Sequence, residues 1–364
     1  MTGGFVLILP SFAIGGAERV VLNLASGLAA RGERVRVVVL DGRGPLREQV
    51  DRGVEVIDLR RRRARTALPA LVRTLRRIRP EAVLSSATHL SVLLAAIRPL
   101  LARPVRLVVR APSIPHPDDD TAAARTVVGW ALRRADAAIA SSPPMRERLV
   151  RITGGRTTVH EIPNPVDVDG LRAAAASRAS SADTADPAGA ITAIVVGRLV
   201  AGKGHADLLA ALADDRSGDV SLDVVGDGPL REELQRTTGA LGLAGRVRFH
   251  DRMSDRAALA RLIAGSDLLV QPARFEGMPN SVLEALALGT PVLATTELEM
   301  LAVLSEELED GALRLADRGS LAEALGSVRR RSGPIPGPSL LPGRFRTDAV
   351  VGSVLGLLRP GGNS

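Results

Sequence analysis

Residues 195–213 read VVGRLVAGKGHADLLAALA, and the fold turns on how this stretch is parsed. One parse is a P-loop, G-x4-G-K followed by Ser or Thr, running from Gly197 through Gly202 to Lys203. Position 204 is glycine, so the hydroxyl that such a loop lends to Mg2+ is missing. The other parse is strand, glycine-rich turn, helix. ITAIVVG (191–197) is a continuous apolar run, as in a strand buried on both faces, and HADLLAALA is the helix that returns from it. Arg198 and Lys203 then lie just past a strand end, placed to hold a diphosphate between them without a metal. Lys203 is the only lysine in 364 residues, against 47 arginines. A compact ammonium and a planar guanidinium are not interchangeable where each must take a different side of one pyrophosphate. A lysine left at the surface by chance is the competing explanation, so a second site has to decide.

That second site is QPARFEGMPNSVLEALALGTPVLAT (271–295). Asn280 or Ser281 is expected to cap a helix that Gly289 ends and Pro291 keeps from continuing. Glu276 then lies in the loop before the helix and Glu284 about one turn inside it. Helix N-terminal amides suit a phosphate. A carboxylate offers about four lone-pair sites, so Glu284 can accept vicinal ribose hydroxyls and Glu276 those of a sugar. Alternatively, both are ordinary acids favoured at a helix start by the dipole.

The same strand–helix alternation runs outward in both directions. On the N-terminal side the strands are FVLIL (5–9), VRVVVL (35–40), GVEVIDL (53–59), AVLSS (82–86), VRLVVRA (105–111), AAIASS (137–142) and TTVHEIPN (157–164). On the C-terminal side VSLDVVGDG, RVRFH, DLLVQP, PVLAT and LRLAD follow 191–197. Between the two sets, LRAAAASRASSADTADPAGA (171–190) has no apolar periodicity and reads as a linker or mobile loop. The chain is therefore expected to be α/β, two doubly wound Rossmann-like domains in series, with parallel sheets and a ligand at the C-terminal strand ends facing a cleft. The expected divisions are 1–170, the linker 171–190, 191–335, and a Pro/Gly-rich segment with a last helix over 336–364, which crosses back to the first domain.

Composition narrows the chemistry. With no Cys there are no disulfides, thiolate metal sites or Cys nucleophiles, and a reducing cytoplasmic location fits. MTGGFVLILPSF at the N-terminus lacks a basic flank and reads as a buried strand rather than a signal peptide. Residues 1–170 carry 27 Arg against 16 carboxylates, whereas the rest of the chain is slightly acidic. Nine Arg fall within 60–80. Such a helix is either a solvated face or a peripheral contact with an anionic membrane on its cytoplasmic side. Aromatic content of 2% argues against base stacking and so against nucleic acid as a partner.

VGRLVAGKG, VVGDGPLREEL, RVRFHDRMSD and EGMPNSVLEALALGTPVLAT, in that order, resemble the family 4 glycosyltransferases of GT-B fold. GGAERVVLNLASGLAARGERVRVVVL and IPNPVD (162–167) resemble the same family, so the likeness covers most of the chain. It implies a nucleotide-diphosphate sugar as donor, UDP- or GDP-linked, retention of anomeric configuration, and no metal or cofactor. Arg198 and Lys203 would contact the diphosphate, Glu276 the transferred sugar and Glu284 the ribose. Backbone at Gly277 and Met278, with Asn280 and Ser281, would surround the phosphate. Gly15, Gly16, Gly226, Asp251 and Arg252 complete the implied donor site. The family often places a histidine near the reacting sugar. His116 stands in the corresponding loop, though farther from its strand than usual. His89 competes with it, and Arg110 at the strand end could serve instead. His205 is expected to help pack the phosphate loop, and His160 and His250 to be structural. Asp118, Asp119 and Asp120 read as a helix-start cluster rather than metal ligands.

The sequence departs from the family at Asp251, where glycine is common, and at TTELEMLAVL (295–304), where Gly-Gly and Pro-Glu are common. Nucleobase choice and the outer sugar contacts are thereby left open. So is the acceptor, a lipid-linked saccharide or a small molecule. The rival readings are a nucleotide-sugar epimerase on this fold, a P-loop NTPase, and a degenerate sugar-nucleotide binder.

Overall fold

The structure, a computed structural model, describes residues 3–62, 64–101, 103–111, 122–177, 191–214, 216 and 219–359. It divides into two compact units, one of Met1–Pro165 with Gly343–Ser364 and the other of Val166–Pro342. The chain thus changes units at 165 and 342, against the expected 170 and 335.

Unit 1 is built on seven parallel strands: β1 (Phe5–Ser11), β2 (Val35–Asp41), β3 (Glu55–Asp58), β4 (Ala82–Ser85), β5 (Arg106–Arg110), β6 (Ala137–Ala140) and β7 (Thr158–Glu161). Their order in the sheet is β3-β2-β1-β4-β5-β6-β7, with the reversal between β1 and β4. The crossovers run through α1 (Gly16–Ala30), α2 (Ala64–Ile78), α3 (Thr88–Ile97), α4 (Ala122–Leu132) and α5 (Pro143–Thr153). Alternation along each strand feeds two cores. Leu7, Val37, Leu84 and Ile139 meet α1 on one face, while Ile8, Val38, Val83 and Ala138 meet α2 and α3 on the other. Buried Ala67, Leu71, Leu75 and Ile78 give α2 its apolar stripe, and Arg73, Arg76 and Arg77 are exposed.

The last helix, numbered α13 (Thr347–Leu358), joins this unit. Val350, Val351, Val354 and Leu358 enter the α1 core, and Gly27 lets α13 approach, since a Cβ there would lie 2.5 Å from Val351 Cγ2. Arg106 Nε donates to the Leu357 carbonyl at 2.6 Å, satisfying a C-terminal acceptor of the helix.

Unit 2 has six parallel strands: β8 (Ile191–Val196), β9 (Val220–Val225), β10 (Val247–His250), β11 (Leu268–Gln271), β12 (Val292–Thr295) and β13 (Leu313–Ala316). They are ordered β10-β9-β8-β11-β12-β13, again reversing beside the first strand of the unit. The helices are α6 (Val168–Ala176), α7 (His205–Ala213), α8 (Arg231–Ala240), α9 (Arg256–Gly265), α10 (Asn280–Ala287), α11 (Glu299–Ser305) and α12 (Leu321–Gly326).

Three helices form where the sequence signal is thin. Residues 171–176, assigned to the linker, are the body of α6. Asp167 caps that helix by accepting from Gly170 N at 3.0 Å, and Val168 and Leu171 anchor it. Alanine-rich sequence hides a helix held by so few apolar residues. In α5, Pro143 and Pro144 look like breakers but occupy the first turn, where the missing N–H has no intrahelical partner to lose. The third is α11, within the stretch that departs from the family pattern; Met300, Leu301 and Leu304 bury it. The rest of the expected linker, 178–190, lies outside the described residues.

Candidate active site

The loops at the C-terminal ends of β8, β9 and β11 are bound to one another by backbone. Gly197 N donates to Val225 O at 3.0 Å, and Leu199 N to Asp227 O at 3.0 Å. Arg274 N donates to Gly202 O at 2.9 Å, which fixes the loop after β11 against the loop after β8. Glycines make these approaches possible. Gly204 has φ +70, and a Cβ there would overlap the Pro272 carbonyl oxygen. At Gly226, with φ +156, a Cβ would overlap the Gly197 carbonyl. Any hydroxyl residue at 204 would meet both obstacles, which is the structural reason the P-loop consensus stops short here.

This bracing brings Lys203 and Glu276 together, with Lys203 Nζ donating to Glu276 Oε1. Both side chains are half-buried. Lys203 closes a short 3-10 turn, Ala201–Lys203, whose end is Gly204 and the start of α7. Burial above all, and then the Arg198 charge, lower the Lys203 pKa to about 8. Contact with a carboxylate favours the ammonium, in opposition to these two effects. Arg198 itself is exposed on the same loop.

The loop 272–279 leads from Glu276 through Gly277 and Met278 into α10. Neither Asn280 nor Ser281 is the cap. Pro279 holds that position in extended conformation, φ −72 and ψ 111, and Asn280 and Ser281 are the first two helical residues. Proline outside the helix fixes the entry angle, so their amides rather than their side chains lie at the terminus. Glu284 follows Asn280 by four residues and shares its face of α10. Asp251 and Arg252 are exposed just beyond β10.

Two arginines that sequence reasoning passed over shape these loops. Arg231, at the start of α8, donates to Gly226 O at 3.0 Å and His250 O at 3.1 Å, and pairs with Asp251 at 3.1 Å. Arg318, after β13, pairs with Glu297 at 2.6 Å and with Asp207, and donates to Pro272 O at 3.1 Å. Among 47 arginines nothing in the sequence marks these two.

His205 is 4% exposed among Val195, Leu208, Leu222 and Leu234, and neither ring nitrogen has a hydrogen-bond partner among the described residues. Burial, then the Lys203 charge, lowers its pKa to about 4, so it is a neutral packing residue under the loop after β8. His250 Nε2 lies 2.6 Å from Asp223 Oδ1, beside Arg248 on the same carboxylate.

In unit 1, Gly15 and Gly16 open α1, and a Cβ at Gly15 would overlap the Glu18 carboxylate. His89 is exposed on the first turn of α3. His160 is on β7, where burial, then Arg106 and Arg146, lowers its pKa. His116 and Asp118, Asp119 and Asp120 lie outside the described residues. No helix among the described residues is long and apolar enough to cross a membrane.

Comparison with known proteins matches two family models in tandem. The Glycosyltransferase Family 4 model matches residues 14–169, and the Glycosyl transferases group 1 model matches 177–325. The lipopolysaccharide core biosynthesis glycosyltransferase LpsE of Rhizobium meliloti is 28% identical over 94% of this chain and 96% of its own length. Anabaena HepE, solved in complex with UDP-glucose, superposes with a TM-score of 0.73 at 20% identity, covering 96% of this chain and 98% of that one. Sucrose-phosphate synthase from Thermosynechococcus elongatus superposes with a TM-score of 0.73 at 19% identity over 98% of each chain. With two Rossmann-like units and both family models in register along its sequence, the chain belongs to the family 4 glycosyltransferases of GT-B fold.

Proposed function

We propose that this glycosyltransferase moves a hexose from a UDP- or GDP-linked donor to an acceptor hydroxyl with retention of configuration, and without a metal. Unit 2 takes the donor and unit 1 the acceptor. The observation that carries this reading is the placing of Lys203 against Glu276, on loops braced backbone to backbone, just ahead of the α10 N-terminus. Arg198, Lys203 and the first amides of α10 receive the diphosphate. Glu276 accepts hydroxyls of the sugar and Glu284 those of the ribose.

Breaking the sugar–phosphate bond leaves negative charge on the departing diphosphate. Cationic donors already in place stabilise that charge as it develops, each by about 2–4 kcal/mol when preorganised. No acid has to protonate such a leaving group. The relatives LpsE and LpsD of Rhizobium meliloti act in lipopolysaccharide core biosynthesis, which supports a role in assembling cell-envelope saccharide. The alpha-D-kanosaminyltransferase of Streptomyces kanamyceticus matches a smaller part of the chain, 39%.

A ligand that binds the native state raises the melting temperature. A panel of nucleoside diphosphates should therefore give a shift with UDP or GDP that is the same in EDTA and in Mg2+. No shift with any of them, or a shift only with ATP and Mg2+, would sink the reading.

The exposed arginines of α2 fit a peripheral contact with the anionic cytoplasmic face of a membrane. Co-sedimentation with anionic vesicles should be strong at low salt and lost at high salt. Absence of binding at both retires the contact.

A further inference from the structure

The C-terminal edge of the unit 1 sheet carries a positive charge that no carboxylate balances among the described residues. Arg110 closes β5 and is 3% exposed. Its guanidinium donates to Ser86 Oγ at 3.1 Å and to Asn164 Oδ1. Both acceptors are neutral, and among the described residues no carboxylate pairs with it. Burial lowers its pKa to about 10, which still leaves it charged at neutral pH. A buried ion held only by neutral partners is strongly destabilising, and an anion in contact relieves that penalty.

A second group at the same edge lacks a hydrogen-bond partner among the described residues. Ser141 follows β6 and is 2% exposed, and its hydroxyl makes no hydrogen bond among the described residues. Strand alternation puts these groups together. Leu84, Val108, Ile139 and Ile162 all belong to the core beneath α1 and α13. Two positions on from each, in the same order, come Ser86, Arg110, Ser141 and Asn164. They therefore continue one face across the ends of four neighbouring strands, β4 to β7. The positive end of the 11-residue α5 begins two residues after Ser141. A planar fork with a hydroxyl donor beside it matches an oxyanion.

We propose that this edge binds an oxyanion carried by the acceptor, a phosphate or a carboxylate, with Arg110 as its charge partner and Ser141 as a further donor. The proposal rests on the reading of unit 1 as the acceptor-binding unit. It makes the acceptor an anionic saccharide rather than a neutral one.

The test uses the full chain with saturating UDP, so that the cationic loop of unit 2 is already engaged. Melting temperature is followed against inorganic phosphate, and separately against acetate, with chloride holding ionic strength constant. At least one of the two anions should raise it saturably, and the stronger one tells phosphate from carboxylate. Arg110→Met should weaken that response about tenfold or more, and Ser141→Ala about fivefold, with the UDP shift intact in both. Equal anion responses in wild type and both variants, or none in wild type, would make the cluster purely structural. Loss of the UDP shift in Arg110→Met would assign the residue to the donor instead. Should Arg110→Met fail to fold, Ser141→Ala, which removes no charge, decides alone. No UDP shift in wild type would count against the donor reading, while the anion titrations would still report on Arg110.

Discussion

Lys203→Ala is expected to lower kcat/KM for the donor by about 10^2–10^3, the loss seen when one preorganised donor to a developing anion is removed. The side chain is held in place by its neighbours. Its turn ends at Gly204, the Gly202 carbonyl of that turn is bonded to Arg274 N, and its ammonium meets Glu276. With the proposed donor, little reorganisation would be needed as charge builds on its diphosphate. Lys203→Arg should recover only a small part of the activity. A guanidinium is larger and planar, and the half-buried space beside Glu276 fits a compact head. The pH profile offers an independent reading of the same group. With the Lys203 pKa lowered to about 8, the ammonium is lost as pH rises through that value, so donor kcat/KM should fall above it. That limb should be absent from the residual activity of Lys203→Ala. A variant within about threefold of wild type would remove Lys203 from the chemistry.

Most of the fold can be read from the sequence because both sheets are parallel and buried on both faces. FVLIL and ITAIVVG are apolar runs of strand length, and each is followed by a helix-forming stretch. Where burial is thin, the pattern fails. The helix α6 rests on Val168 and Leu171 and otherwise reads as alanine-rich linker. The candidate site is legible where residue type is scarce or spacing is tight. Lys203 is the only lysine, and Glu276 and Glu284 frame a helix start. What no local pattern announces is who meets whom across loops distant in sequence. Arg318 reaches Asp207 from 111 positions away. Pro279 takes the cap expected of Asn280 or Ser281, because the loop enters α10 in extended conformation. Arg110 is visible as a strand-end residue, but only three-dimensional packing shows that its guanidinium lies inside the unit.

Gly204→Ser, which completes the P-loop consensus on paper, is expected to destabilise the protein without creating a Mg2+-dependent nucleotidase. At φ +70 a residue with a Cβ sits in the left-handed region, at a cost of about 1–2 kcal/mol. The added Cβ would also overlap the Pro272 carbonyl, a backbone atom that Arg318 Nη2 already holds at 3.1 Å. Forcing that contact open adds about 1–3 kcal/mol. Together these predict a loss of about 3 kcal/mol, or about 6–12 °C in melting temperature for a unit of this size. The geometry also says where the strain goes. Pro272 precedes the loop that carries Glu276, and Gly204 follows Lys203, so separating the two loops pulls the pair apart. Surviving Gly204→Ser protein should therefore bind UDP more weakly than wild type, with no gain from Mg2+. Stability and UDP affinity equal to wild type would show that the loops after β8 and β11 can part freely. Lys203 and Glu276 would then be no preorganised pair.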